Sequence, residues 1–269
     1  VIRFDKPSRT LTIQLPSWRD RRWWWAVVLF VIFDLTFTYV DRPVALFMVS
    51  RVSEGVYNFF HTVSKFGDSK YYLVPLGLIL PFILAARQAL DDGSLRRVLS
   101  WLAQAVGFMF VAIAGSGILV NILKGIIGRM RPRLLFSEDM YGFAPFTFAK
   151  SAYNSMPSGH SDTAFVLATA LGFFFPRLRL PLWGGAALVA CSRVVITAHY
   201  PTDVIVGGIF GIFTTYWLRR WYSNKGWVFI RRHGQYSLSA PGILLGSKIR
   251  TFLFERIGLP DGLRGRLPK

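Results

Sequence analysis

The chain has 269 residues, 52% of them hydrophobic and 16% aromatic, with a net charge of +18 and a mean hydropathy of +0.39. Soluble globular chains are about 45–50% apolar with glycine counted, so this excess, gathered into long blocks, excludes an ordinary water-soluble domain. The charge by itself would suit nucleic acid, but most of it flanks apolar blocks, which argues for no nucleic-acid partner; the single cysteine, Cys191, excludes a disulfide framework.

Residues 1–22, with Pro7, Pro16 and six Lys or Arg, read as a short non-spanning tail. Six hydrophobic blocks follow, at 23–40, 71–86, 98–123, 158–175, 180–198 and 203–218. A bilayer core needs about 20 helical residues at 1.5 Å rise, so the expected fold is all-α: an integral membrane bundle of six transmembrane helices. Trp23, Trp24 and Trp25 open the first block, and Trp217 and Trp221 close the last, as an aromatic belt would. No small-residue cleavage site follows the first block, which therefore reads as an anchor rather than a signal peptide. Between the first two blocks, Val49, Val52, Val56, Phe59, Phe60 and Val63 recur at helical spacing opposite Arg51, Glu54, Asn58 and His61. That pattern predicts an amphipathic interfacial helix ending at Gly67-Asp68. Gly207-x3-Gly211 predicts close helix packing, and Asp34, inside the first block, is expected to face other helices or water. The tail 222–269 carries a weaker amphipathic pattern around Leu245 to Ile257 and is expected to lie on the membrane surface.

Six spans place both tails on one side. That side holds 22 of the 32 Lys and Arg: 6 in 1–22, 3 in 87–97, 2 in 176–179 and 11 from Arg219 onward. The positive-inside rule assigns it to the cytoplasm. The connections 41–70, 124–157 and 199–202 then face outward, which in a bacterium is the periplasm.

Three polar segments end at that outward face: Lys124 to Arg131-Pro132, Pro157-Ser158-Gly159-His160, and Ser192-Arg193 with His199 and Asp203. Lys124, Arg131 and Arg193 supply three cations, enough for a phosphate dianion and the charge spread over its oxygens in transfer. Singly, each of them also fits a residue snorkelling at a span end. Ser158 and Gly159 open a helix, so their N–H groups are expected to point at an anion. Two histidines suffice for in-line displacement, one attacking phosphorus and one protonating the leaving alcohol. Asp203, four residues after His199, can orient an imidazole or simply cap the sixth helix. Asp162, close to the phosphate segment, fits a cap or a solvated group more readily than a substrate contact.

Lys124-x6-Arg131-Pro132, Pro157-Ser158-Gly159-His160 and Ser192-Arg193-x5-His199-x3-Asp203 resemble, position for position, the three-part signature of the type 2 phosphatidic acid phosphatase family. The resemblance is strongest from Lys124 to Asp203 and extends over about 20–221 with the six-span layout. It implies His199 as nucleophile through a phosphohistidine, Asp203 as its orienting partner, and His160 as general acid. It further implies Lys124, Arg131, Ser158, Gly159 and Arg193 as the phosphate cradle, with no metal ion or other cofactor. The substrate implied is a membrane lipid phosphate: phosphatidylglycerol phosphate or the 1-phosphate of lipid A, with undecaprenyl pyrophosphate as an alternative. Phosphoryl transfer to a second lipid uses the same histidine, and an anion transporter is the alternative from a different class. The connection 133–156 is expected over the pocket, where its aromatics would either help select the lipid or form a membrane-dipping packing loop.

Overall fold

The computed structural model describes residues 2–4, 11–13, 22–90, 93–148, 151–232, 234–239 and 241–243. Helices dominate it. All six apolar blocks are helical, in α1 (Arg22–Thr36), α4 (Lys70–Gln88), α5 (Gly93–Ile127), α7 (Gly159–Phe174), α8 (Arg179–Val195) and α9 (Pro201–Asn224). Between them lie α2 (Arg42–Arg51), α3 (Glu54–Ser64) and α6 (Pro132–Glu138). Among the described residues, Glu54–Gln88, Gly93–Ile127 and Pro176–Val195 are long and apolar enough to cross a membrane. At 16 residues, α7 falls short of that length, and it is largely buried against α8 and α9 rather than facing outward. Large apolar side chains such as Leu78, Phe82, Ile118 and Phe213 stand exposed on α4, α5 and α9. In water such a surface would aggregate; in a bilayer it faces acyl chains.

The all-α expectation needs correcting in two places. Ile2–Phe4 (β1) pairs antiparallel with Leu11–Ile13 (β2), and Phe229–Arg232 (β3) with Gln235–Leu238 (β4). The second hairpin forms because Phe229 has an aromatic seat, packing edge-on to Phe108 at 5.0 Å, while Val228 and Phe229 are almost fully buried. The hairpin thus caps one end of the bundle. The amphipathic pattern expected from Leu245 to Ile257 lies outside the described residues.

The amphipathic pattern around 49–63 is broken at Val52-Ser53, where the backbone is extended. Its second half, α3, packs on α8 through its C-terminal end, where Ser64 is buried, while Val56 and Phe59 remain exposed. The first block does not end at Val40. A π turn, Phe37–Asp41, joins α1 to α2. Pro43 has no N–H to offer the carbonyl four residues back, which favours a widened turn here. The turn leaves Asp41 fully buried, whereas Asp34, one helical stretch earlier, is exposed.

α7 and α9 run side by side from one end of the bundle. Their close approach is set by small residues: a Cβ on Gly207 would lie 2.4 Å from the Ser158 carbonyl oxygen, and one on Gly211 2.6 Å from that of Asp162. The expected close packing at Gly207-x3-Gly211 is therefore a contact between the starts of α7 and α9.

Candidate active site

Each of the three polar segments sits at a helix end, and the ends meet. Lys124 lies in the last turn of α5, His160 in the first turn of α7, Arg193 in the last turn of α8, and Asp203 in the first turn of α9. His199 occupies the short turn between α8 and α9 and is 3% exposed. Its backbone N–H donates to the Arg193 carbonyl at 3.1 Å, so His199 folds back beneath α8. A Cβ on Gly159 would stand 3.7 Å from Lys124 Nζ, which places that ammonium over the start of α7. His160 lies within the fields of Arg193, Lys124 and Arg131, and His199 within those of Arg131 and Lys124.

The cations are partly committed to the scaffold. Arg131 donates through Nε to the Ser151 carbonyl at 2.9 Å and through Nη2 to that of Asn154 at 3.3 Å. Arg193 Nη1 donates to Ser64 Oγ, tying α8 to α3. A guanidinium has five N–H donors, so both arginines retain donors for an anion. Ser158 departs from expectation. Its backbone N–H donates to the Asp203 carbonyl at 3.0 Å instead of pointing at an anion, because α7 and α9 pack this closely. Its hydroxyl, fully buried, caps α7 by accepting from the Ser161 N–H at 3.5 Å.

Asp203 caps α9 and also lies beside His199. Oδ2 accepts from the Tyr200 N–H at 2.9 Å, which caps the start of α9. The same oxygen lies 3.6 Å from His199 Nδ1. That is outside hydrogen-bond range, and Nδ1 has no other partner among the described residues; the pair is an electrostatic contact that a few tenths of an ångström would close. Nδ1 faces the carboxylate, so Nε2 is the nitrogen left for chemistry. Burial pushes the His199 imidazole down to about 3, although Asp203 pulls the other way. His199 is therefore neutral at physiological pH, the form in which an imidazole is a nucleophile.

Sequence reasoning missed Arg129. It is 0% exposed, and Nη1 donates to Asp203 Oδ1 at 2.6 Å while Nη2 donates to Asp41 Oδ2 at 2.5 Å. Its guanidinium carbon lies 4.5 Å from the Tyr200 ring centre and 5.0 Å from that of Phe37. Burial opposes the charge, but Asp203 and Asp41 outweigh it and hold the Arg129 pKa above its ordinary value. A charged residue between Gly128 and Met130 was the available signal, since it adds a third cation to the first segment. The 133–156 connection is divided: Tyr141 and Phe143 stack around Phe37 and Arg129, whereas Phe146 and Phe148 are exposed. Asp162 is buried, not solvated, with Oδ1 accepting from Ser116 Oγ at 2.6 Å.

Residues 105–227 match the PAP2 superfamily. The chain is 31% identical over 205 residues to a lipid A 1-phosphatase of Rhizobium johnstonii, covering 71% of this chain and 82% of that protein. It is 32% identical over 191 residues to a lipid A 1-phosphatase of Rhizobium etli, covering 70% and 80%. Among solved structures, the transmembrane PAP2-type phosphatidylglycerolphosphate phosphatase from Bacillus subtilis shares the fold, with a TM-score of 0.51 at 22% identity over 77% of this chain and 98% of that one. The chain belongs to the PAP2 superfamily. It is a multi-pass membrane protein and a lipid phosphatase of the PAP2 type.

Proposed function

We propose that the chain removes the 1-phosphate of lipid A at the outward face of a bacterial inner membrane. The observation that carries this reading is the match to relatives named lipid A 1-phosphatase over 82% of the first one's length. In the reaction, His199 Nε2 attacks phosphorus in line with the leaving oxygen. An N–P bond forms, the P–O bond breaks, and His160 gives its proton to the departing sugar hydroxyl. Water then attacks the phosphorus of the phosphohistidine, His160 takes a proton from that water, the N–P bond breaks, and inorganic phosphate leaves with the His199 ring neutral again. Lys124, Arg131 and Arg193 hold the phosphoryl oxygens, together with the Gly159 amide and the Ser158 hydroxyl at the start of α7. Asp203 orients His199 and balances the charge its ring acquires.

The topology that goes with this reading has six spans, from 23–40 to 203–218, and an interfacial α3 beside the site. The domain is 23–221, and the tails 1–22 and 222–269 lie in the cytoplasm. Supporting it, Arg177, Arg179 and Arg219 gather where α7 ends and α9 finishes, the end of the bundle away from His199. There Arg179 bonds Tyr216, and Arg219 lies over the Phe173 and Tyr236 rings at 4.0 and 4.2 Å.

The substrate is tested by supplying the purified protein with lipid A, phosphatidylglycerol phosphate and undecaprenyl pyrophosphate separately and measuring released phosphate. The expected kcat/KM is at least about tenfold higher for lipid A. Faster release from phosphatidylglycerol phosphate would replace the substrate, and release only when a second lipid is added would replace hydrolysis with transfer.

The low His199 pKa carries a pH expectation. His199 is protonated below about 3 and neutral above it, so activity is lost as pH falls through that value. The acid limb of kcat/KM, corrected for the substrate's own phosphate ionisation, is expected there and not near the ~6.5 of an ordinary imidazole.

A further inference from the structure

Arg129 has no task in the chemistry above, because its guanidinium is taken up by Asp203, Asp41 and Thr202. Its bonds nevertheless lead to both oxygens of one carboxylate, to one directly and to the other through Ser155. The guanidinium holds Asp203 Oδ1 directly, at 2.6 Å. The Arg129 backbone carbonyl accepts from the Ser155 N–H at 3.0 Å, and Ser155 Oγ donates to Asp203 Oδ2 at 2.5 Å. Asp203 is thereby gripped on two sides, at Oδ1 by Arg129 and at Oδ2 by Ser155, whose backbone Arg129 holds, and Oδ2 is the oxygen that faces His199.

Arg129 is itself held from behind. Asp41 takes its second arm, and Asp41 Oδ1 also accepts the Thr202 N–H at 3.0 Å, while the Thr202 hydroxyl bonds both Asp41 and Arg129. The π turn that ends α1 is thus latched to the start of α9, one residue from Asp203. The charges are consistent with a positioning task. A lone buried carboxylate beside a phosphate site would be costly to keep ionised and would repel the substrate. With Arg129 on the side away from His199, Asp203 keeps its charge, and the Tyr200 and Phe37 faces shield the guanidinium from water.

We propose that Arg129, anchored by Asp41, is a positioning residue that fixes the Asp203 carboxylate so that Oδ2 orients the His199 nucleophile. The inference rests on the functional reading of His199 and Asp203 given above. A buried ion cluster that merely braces three segments would show the same bonds, so the test separates bracing from positioning.

Arg129→Lys and Asp41→Asn are each made in the native chain and in an Asp203→Asn background. All variants are purified in detergent, checked for helical content and monodispersity, and assayed for kcat and KM. Positioning predicts that Arg129→Lys lowers kcat by about 100-fold with KM changed less than about threefold. In the Asp203→Asn background the same substitution should cost less than about threefold, because the group it acts through is already impaired. Losses that multiply across the two backgrounds, or a change confined to KM, would overturn the proposal. Should Arg129→Lys not fold, Asp41→Asn decides, with an expected loss in kcat of about tenfold that vanishes in the Asp203→Asn background. Failure of both to fold would identify the cluster as a brace and overturn the proposal as well. An Asp203→Asn enzyme with native kcat would instead remove the catalytic reading of Asp203, a different failure from that of Arg129.

Discussion

Replacing His199 by alanine is expected to lower kcat by about 10⁴-fold or more while the protein stays folded. The side chain is small enough, and near enough to a turn, that its loss removes chemistry before it removes structure. Among the described residues the His199 Nδ1 finds no hydrogen-bond partner, its contact with Asp203 being 3.6 Å long, and the backbone bond that shapes its turn survives the substitution. The variant should therefore keep its helical signal and thermal midpoint close to native. It should also fail to become labelled when phosphorus-labelled substrate is mixed and quenched, because no nitrogen remains to carry the phosphoryl group. Phosphate release at the native rate would exclude His199 as nucleophile. It would leave direct attack by water on phosphorus as the route of hydrolysis.

His160→Ala is expected to give the second largest loss, about 10²–10⁴-fold in kcat on a lipid phosphate. Here the size of the defect should depend on the leaving group. A sugar or glycerol alkoxide departs poorly without a proton, so the missing acid is felt in full. A nitrophenolate departs unprotonated, so on an aryl phosphate the first step should recover most of its native rate. The label should then remain on His199, because His160 also serves the second step by accepting the proton of the attacking water. His160 is held for this task at the start of α7, where a Cβ on Gly67 would come within 2.8 Å of its own Cβ. An equal loss on both substrate types would mean that His160 only shapes the pocket.

The helices were largely legible because their cause is local. An apolar block needs no partner from elsewhere in the chain to declare itself, and α4, α5 and α8 coincide with the blocks at 71–86, 98–123 and 180–198. The spacing within Lys124-x6-Arg131 and Arg193-x5-His199-x3-Asp203 was equally readable, since each segment is short. The two hairpins were not. Each strand has only three or four residues, too few for an alternating pattern to stand out, and β3 depends on the aromatic seat built by α5, α7 and α9. Ser158 was misread in one respect for a related reason: its amide serves the contact between α7 and α9, which a single helix start does not reveal.

The opposite ends of one short segment show where the division falls. From the residues themselves come three cationic and histidine-bearing segments, their convergence at helix ends, and hence phosphate chemistry beside a membrane. Arg129 stands two residues before Arg131 and looks like one more cation at the end of α5. Only the tertiary structure separates them, because the partners of Arg129, Asp203 and Asp41, lie 74 and 88 positions away in the chain. Burial decides the rest. A guanidinium sealed among carboxylates and aromatic faces acts on Asp203, whereas the part-exposed Arg131 keeps donors for an anion, and no local pattern of residues distinguishes the two environments.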